Sequence, residues 1–295
     1  MAEAEEGSWG DRAVDLALRG VIAAALRLPY EQRVPFMGAV ARGVAGPLAG
    51  YRRRAMRNLA LVRPDWGWGR RRDVAASALD NLGRTLIENY AWRELRARLH
   101  PEGATGAGLP ALEAARARGR PVILLTGHYG NHMAPVHLLT LRGHLVGGLY
   151  RAMGNPFVNA HYAATMRDLS GPSFAKGARG NLGFVRHVAG GGIGLILFDL
   201  REASGVPLPF LGRPALTALT AAELALRFNA PLIPVWGVRG ADGLTLEVAV
   251  EEPVAPTTPE GMMREATRRL EARVAADPGQ WFWIHRRWKG AAEGG

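Results

Sequence analysis

Four short runs rich in Val, Ile and Leu, at 121–126, 145–150, 193–198 and 231–236, alternate with segments able to form helices at 111–118, 157–169, 181–189 and 217–228. Runs this short and this poor in polar residues have the pattern of strands buried on both faces. Adjacent parallel strands need a crossover, usually a helix. The alternation therefore predicts an α/β fold with a largely parallel sheet covered by helices on both sides. The segment 244–250, LTLEVAV, alternates and reads as an edge strand, and 259–276 reads as a final amphipathic helix. In such sheets ligands collect outside the carboxyl ends of the strands. The loops beginning at Gly127, Arg151 and Asp199 are thus where functional side chains are expected.

The first 100 residues lack these runs and read as helical. No long Ser/Pro/Gln-rich or single-charge stretch divides the chain, so 1–295 is expected to be a single domain, with a helical region over 1–100 and the α/β part over 101–295. Residues 12–28 place Arg12, Asp15, Arg19 and Arg27 on one helical stripe and fill the remainder with apolar side chains. Such a helix either packs on a core or lies in a membrane interface. The segment 51–72 carries eight arginines and one acid, Asp65, interleaved with Tyr51, Trp66 and Trp68. It reads as a solvated charged face, or as a surface that meets lipid head groups or nucleic-acid phosphates, and it is expected to contact a membrane together with 12–28 and the tail residues Trp281, Phe282, Trp283, Arg286, Arg287, Trp288 and Lys289.

Overall, 37 Lys+Arg face 26 Asp+Glu, a net charge of +11. Nearly every cation is arginine, since Lys176 and Lys289 are the only lysines. Guanidinium groups bind phosphates bidentately, so phosphorylated carriers and anionic membrane surfaces are candidate partners. No helix-turn-helix or aromatic RNA-binding segment accompanies the charge, and a nucleic-acid partner is not expected. The absence of cysteine excludes disulfides, thiolate metal sites and a cysteine nucleophile. The acidic start, MAEAEEGSWGD, is unlike a secretory leader. No membrane-spanning helix is expected, because the longest stretch without charge, 121–141, contains three histidines, glycines and prolines.

The loop after 121–126 reads TGHYGNHMAP. His128 follows a strand end between Gly127 and Gly130, where backbone can approach a substrate closely and an imidazole can take a proton. His128, His132 and His137 have no carboxylate or cysteine beside them in sequence, so a metal site is not expected. HVAGGGIG precedes its strand, the wrong order for a dinucleotide loop. The chain contains no phosphate-binding P-loop and no G-x-S-x-G.

The strand followed by GHYGN resembles the H-x-G-N-W-[ED] signature of the lipid A biosynthesis (lauroyl/myristoyl) acyltransferases and the phosphatidylinositol mannoside acyltransferases. The resemblance continues through RNLALVRPD (57–65), the helix ending near Glu88, LYRAMGNPFVNAHYAATMRDLSG (149–171), FDLREASGVPLPFLGRPALTALTAAELALRFNAPLIPVW (198–236) and QWFWIHRRWK (280–289). It implies a glycerophosphate-acyltransferase-like α/β fold in a protein peripheral to the cytoplasmic face of a bacterial inner membrane. The implied reaction moves a fatty acyl group from an acyl carrier protein or coenzyme A thioester to a lipid hydroxyl, with no cofactor beyond that co-substrate. His128 matches the base of the family and Arg151 its substrate-arranging arginine. Asn131 and the backbone near Gly130 are candidates to hold the oxyanion. Where the signature has an acid, this chain has Met133, and methionine cannot orient an imidazole. Asp199, Glu202 and Glu88 are the carboxylates that could replace it, Asp199 first. A protein that keeps the fold and binds lipid without catalysis is the alternative. Acceptor, chain length and oligomeric state stay open.

Overall fold

The run VILLT is buried at every position, as a central parallel strand must be, and forms the middle of a seven-stranded sheet. The computed structural model describes residues 7–169 and 171–289; residues 1–6, which open the acidic start, lie outside this range. The strands are β1 (Ala104–Thr105), β2 (Val122–Thr126), β3 (Val146–Tyr150), β4 (Ser173–Ala175), β5 (Ile193–Leu197), β6 (Val206–Phe210), β7 (Arg213–Thr217), β8 (Leu232–Arg239) and β9 (Leu246–Val250). The sheet order is β1-β9-β8-β2-β5-β3-β4, and every pairing is parallel except β8 with β9. β6 and β7 form a separate antiparallel hairpin.

Helices α1 (Trp9–Ala25), α2 (Tyr30–Val40), α3 (Tyr51–Val62), α4 (Trp68–Tyr90) and α5 (Trp92–Arg98) precede the sheet, with a π-turn at Ala41–Ala45 and a short helical turn at Gly46–Leu48 extending α2. Helices α6 (Leu109–Ala117), α7 (Ala134–Leu141), α8 (Pro156–Leu169), α9 (Ala178–Ala189), α10 (Thr220–Arg227) and α11 (Pro259–Ala276) connect or follow the strands. The chain leaves β2 toward β3 on one side and returns from β5 toward β8 on the other. Right-handed crossovers in opposite directions must place their helices on opposite faces. Accordingly, Val136 and Leu138 of α7 pack with Val122 and Leu124, while Ala221 and Leu224 of α10 pack with Ile123 and Leu125. The two residue sets alternate along β2 with the period of a strand. The point where the connections diverge, between β2 and β5, is where an open α/β sheet forms its crevice.

Two expectations are corrected, and the charged stripe of α1 finds its partners. β9 is not an edge strand, because β1 pairs along its outer side. The tail, expected to face a membrane, is core: Trp281, Trp283 and Trp288 are buried and pack edge-on or stacked with one another and with Phe210. The charged stripe of α1 also does not simply face solvent. Asp15 is buried, 3.0 Å from Arg19 and 3.1 Å from His161 of α8, whereas Trp9, Val14 and Leu16 stand in solvent at 88%, 59% and 61% exposure. Arg12 lies over Phe157 and the Asn155 side chain, just before α8, donates to the Asp11 carbonyl, so α8 and the residue before it offer α1 partners.

Candidate active site

β2 and β5 pair in parallel from Val122↔Ile193 to Thr126↔Leu197. Continued two residues beyond the strands, that register sets His128 opposite Asp199. The His128 Nδ1 lies 2.8 Å from Asp199 Oδ1, and the His128 backbone N–H donates to Asp199 Oδ2 at 2.8 Å. A third donor, the Trp281 indole N–H, reaches Oδ2 at 3.0 Å. Burial pushes the fully buried Asp199 carboxyl up, but the charge of His128 and the three hydrogen bonds together outweigh it and hold the group well below the usual carboxylate range. A carboxylate with these donors accepts the Nδ1 proton and leaves the lone pair of the ring on Nε2. Nε2 makes no hydrogen bond among the described residues, and the side chain keeps 22% of its surface exposed. Phe282 stacks on the imidazole at 5.1 Å between centroids.

His128 lies at the wall of a cavity of about 500 Å³, with Asp199 buried behind it, within the roughly 300–1,000 Å³ span of ligand sites. Its lining is mostly apolar, with Leu86, Val136, Leu149, Phe184 and Leu224 among the contributors. Charged groups from the carboxyl ends of three strands also line it: Arg151 after β3, Lys176 after β4 and Glu202 in the loop after β5. Glu202 binds Lys176 and stands 3.4 Å from Arg151, which is more than half exposed. The Lys176 ammonium lowers the Glu202 carboxyl from its ordinary value. Glu202 therefore engages cations and makes no hydrogen bond to the His128 ring among the described residues.

Glu88, Asn131 and Gly130 are placed beneath the site and do not line the cavity. Glu88 is fully buried in a two-pronged ion pair with Arg239, at 2.6 and 2.7 Å, and accepts from the Asn131 side chain at 2.7 Å. Arg239 also donates to Asn81, which donates to the Gly130 carbonyl. The Gly130 and Asn131 N–H groups donate to Gln280 and Gly237 carbonyls. Gly130 has φ of 55°, and a Cβ there would fall 1.9 Å from the Gly237 oxygen, so only glycine lets the loop cross β8 this closely. Both backbone N–H groups and one N–H of the Asn131 amide are thus engaged, and neither residue lines the cavity where an oxyanion would form.

Met133 is buried in the apolar cluster of α7 and shares the cavity wall. Glutamate there would be desolvated beside a histidine whose Nδ1 already has a carboxylate. Met133→Glu is expected to lower stability by about 1–3 kcal/mol and to leave turnover no higher than wild type, as read by denaturant melts and initial rates. Rescue of an Asp199→Asn protein by Met133→Glu is the outcome that contradicts this.

The sequence reading missed Trp281, Lys176, His132 and Arg239. Lys176 carried a signal, being one of two lysines and standing at a strand's carboxyl end. Among the described residues, no three His, Asp or Glu side chains converge to hold a metal ion.

Two relatives are similar over most of their length. A Haemophilus influenzae protein named lipid A biosynthesis acyltransferase is 23% identical over 267 residues, covering 87% of this chain and 81% of its own. A Shigella flexneri protein named lipid A biosynthesis acyltransferase 2 is 24% identical over 283 residues, covering 90% and 86%. The family described as bacterial lipid A biosynthesis acyltransferase matches residues 10–290, a span that includes the cavity lining and the His128–Asp199 pair, and the chain belongs to that acyltransferase family.

Proposed function

We propose that this protein moves a fatty acyl group from an acyl carrier protein or coenzyme A thioester to a hydroxyl of a lipid or glycolipid, with His128 as general base. The observation that carries this reading is an imidazole whose Nδ1 is held by a buried carboxylate and whose Nε2 makes no hydrogen bond among the described residues, at the wall of a mostly apolar cavity. The acceptor hydroxyl gives its proton to Nε2 as its oxygen bonds to the thioester carbon, and the carbonyl electron pair moves onto oxygen. Collapse of that intermediate breaks the C–S bond, and the thiolate takes the proton from the imidazolium. Asp199 keeps the ring in one tautomer and stabilises its charged form. Arg151 and Lys176 suit the phosphates of a carrier or an acceptor. Lipid mass spectrometry of cells with and without the gene tests the reading. A species lighter by one acyl chain in the mutant names the acceptor, while an unchanged profile favours a lipid-binding protein without activity.

The same reading places the protein on the cytoplasmic face of the inner membrane. No helix among the described residues is long and apolar enough to cross a membrane. The apolar side of α1 (Trp9, Val14, Leu16), with Leu48 and Trp68, is exposed, and Arg70 and Arg72 stack over Trp66 and Trp68. Basic residues near an anionic bilayer contribute about 1 kcal/mol each. The protein is expected to float with anionic vesicles at low salt and to be released as salt rises. Leu16→Asp combined with Trp9→Ser should weaken flotation without lowering the melting temperature. Equal flotation by the variant removes α1 from the membrane contact.

A further inference from the structure

Acyl transfer creates a negative oxygen that needs a hydrogen-bond donor, and the His128 loop has used nearly all of its own. The backbone N–H of His128 goes to Asp199, that of Tyr129 to Gly127, that of Gly130 to Gln280, that of Asn131 to Gly237 and that of Met133 to the Asn131 side chain. The Asn131 amide donates one N–H to Glu88, and the residue does not line the cavity. Three side chains of this loop line the cavity, His128, His132 and Met133, and only the histidines carry nitrogen. The His132 ring sits 5.1 Å from the His128 ring, tilted by 52°, and makes no hydrogen bond among the described residues. Arg151 and Arg201 also reach the cavity, but Arg151 faces Glu202 and the Arg201 side chain donates to the Lys289 carbonyl.

Resting on the acyltransferase reading, we propose that His132 is a second catalytic histidine, donating its ring N–H to the thioester carbonyl oxygen as that oxygen becomes negative. Burial, reinforced by the neighbouring His128, holds its pKa down at about 3, so it stays neutral. A neutral imidazole is suited to this role: it polarises the oxygen without losing its proton and does not repel the imidazolium forming on His128. The bookkeeping of the step is unchanged. His128 takes the acceptor proton and returns it to the leaving sulfur, while His132 keeps its own proton throughout.

The test uses the full chain and a panel of saturated acyl-coenzyme A and acyl carrier protein thioesters, with thiol release to water or an added alcohol as the readout. His132→Phe removes the donor and keeps a ring; it is expected to lower kcat by about 10²–10³-fold with KM little changed. His132→Asn, which restores an N–H donor, should recover part of the loss, and His132→Leu should not. The Asn and Leu pair supplies the same comparison should the Phe protein not fold. Unchanged kcat in folded His132→Phe overturns the assignment, as does a loss confined to KM, which would make the ring only a wall for the acyl chain. Equal rates for His132→Asn and His132→Leu overturn it too. A wild-type protein that releases no thiol overturns the acyltransferase reading itself, and this inference with it. Release by wild type that is lost in His128→Ala but kept in His132→Phe overturns this inference alone.

Discussion

Asp199→Asn is expected to leave the protein folded and to cut kcat by roughly 10²–10⁴-fold. Three donors converge on the Asp199 carboxylate: the His128 backbone N–H and the Trp281 indole N–H on Oδ2, and the His128 ring on Oδ1. An asparagine can keep the first two by turning its oxygen toward them. Its NH₂ then faces Nδ1, which must become an acceptor, so the ring proton moves to Nε2. The imidazole stays in place in the wrong tautomer, unable to take the acceptor proton. His128→Ala should lose as much, and the double variant little more, because a base and the carboxylate that orients it act as one unit. Initial rates on the three proteins check this, and nitrogen NMR of the ring reads the tautomer directly. An Asp199→Asn protein with wild-type kcat would detach Asp199 from catalysis. Stability supplies a second readout. The Asp199 carboxyl is held below its unfolded value, so its contribution is present above roughly pH 4 and is lost as the pH falls toward the folded-state value. The gap in stability between wild type and Asp199→Asn should therefore narrow in acid.

The other large effect falls on stability. Glu88→Ala leaves the buried Arg239 guanidinium without its carboxylate and the Asn131 amide without its acceptor. Removing one partner of a buried pair destabilises by about 3–5 kcal/mol. Replacing both partners with apolar groups, as in Glu88→Leu with Arg239→Met, should recover much of this loss, since no uncompensated charge is then buried. Denaturant unfolding of the two single variants and the double variant measures the coupling. Because the same network carries the Gly130 carbonyl through Asn81, the double variant should regain stability more fully than turnover. A Glu88→Ala protein as stable as wild type would mean that the pair adds nothing to the fold.

The neighbouring relation of β2 and β5 illustrates what a sequence holds and what it withholds. The apolar runs show that strands end near Thr126 and Leu197, and both His128 and Asp199 follow such ends by two residues. That these strands are adjacent, with β3 placed beyond β5, is written in no local pattern. It follows from crossover handedness and from which helix faces can be covered. Only this adjacency turns two residues 71 positions apart into a hydrogen-bonded pair. Trp281 is legible as an aromatic in a distinctive tail, and the sequence alone assigns that tail to a membrane contact. A buried tryptophan and an interfacial one have the same local signature, an apolar ring that needs one polar partner, and here that partner is Asp199.

Helix α1 shows the same limit. Its periodicity establishes that it has two unlike faces, but not which of them is inside. That was decided by α8 and the residue before it, where His161 and Asn155 meet the polar side and leave Trp9, Val14 and Leu16 outward. Periodicity is a property of one segment, and burial is a property of two, so the sequence determined the elements and the strand-end loops while tertiary packing decided the faces and the partners.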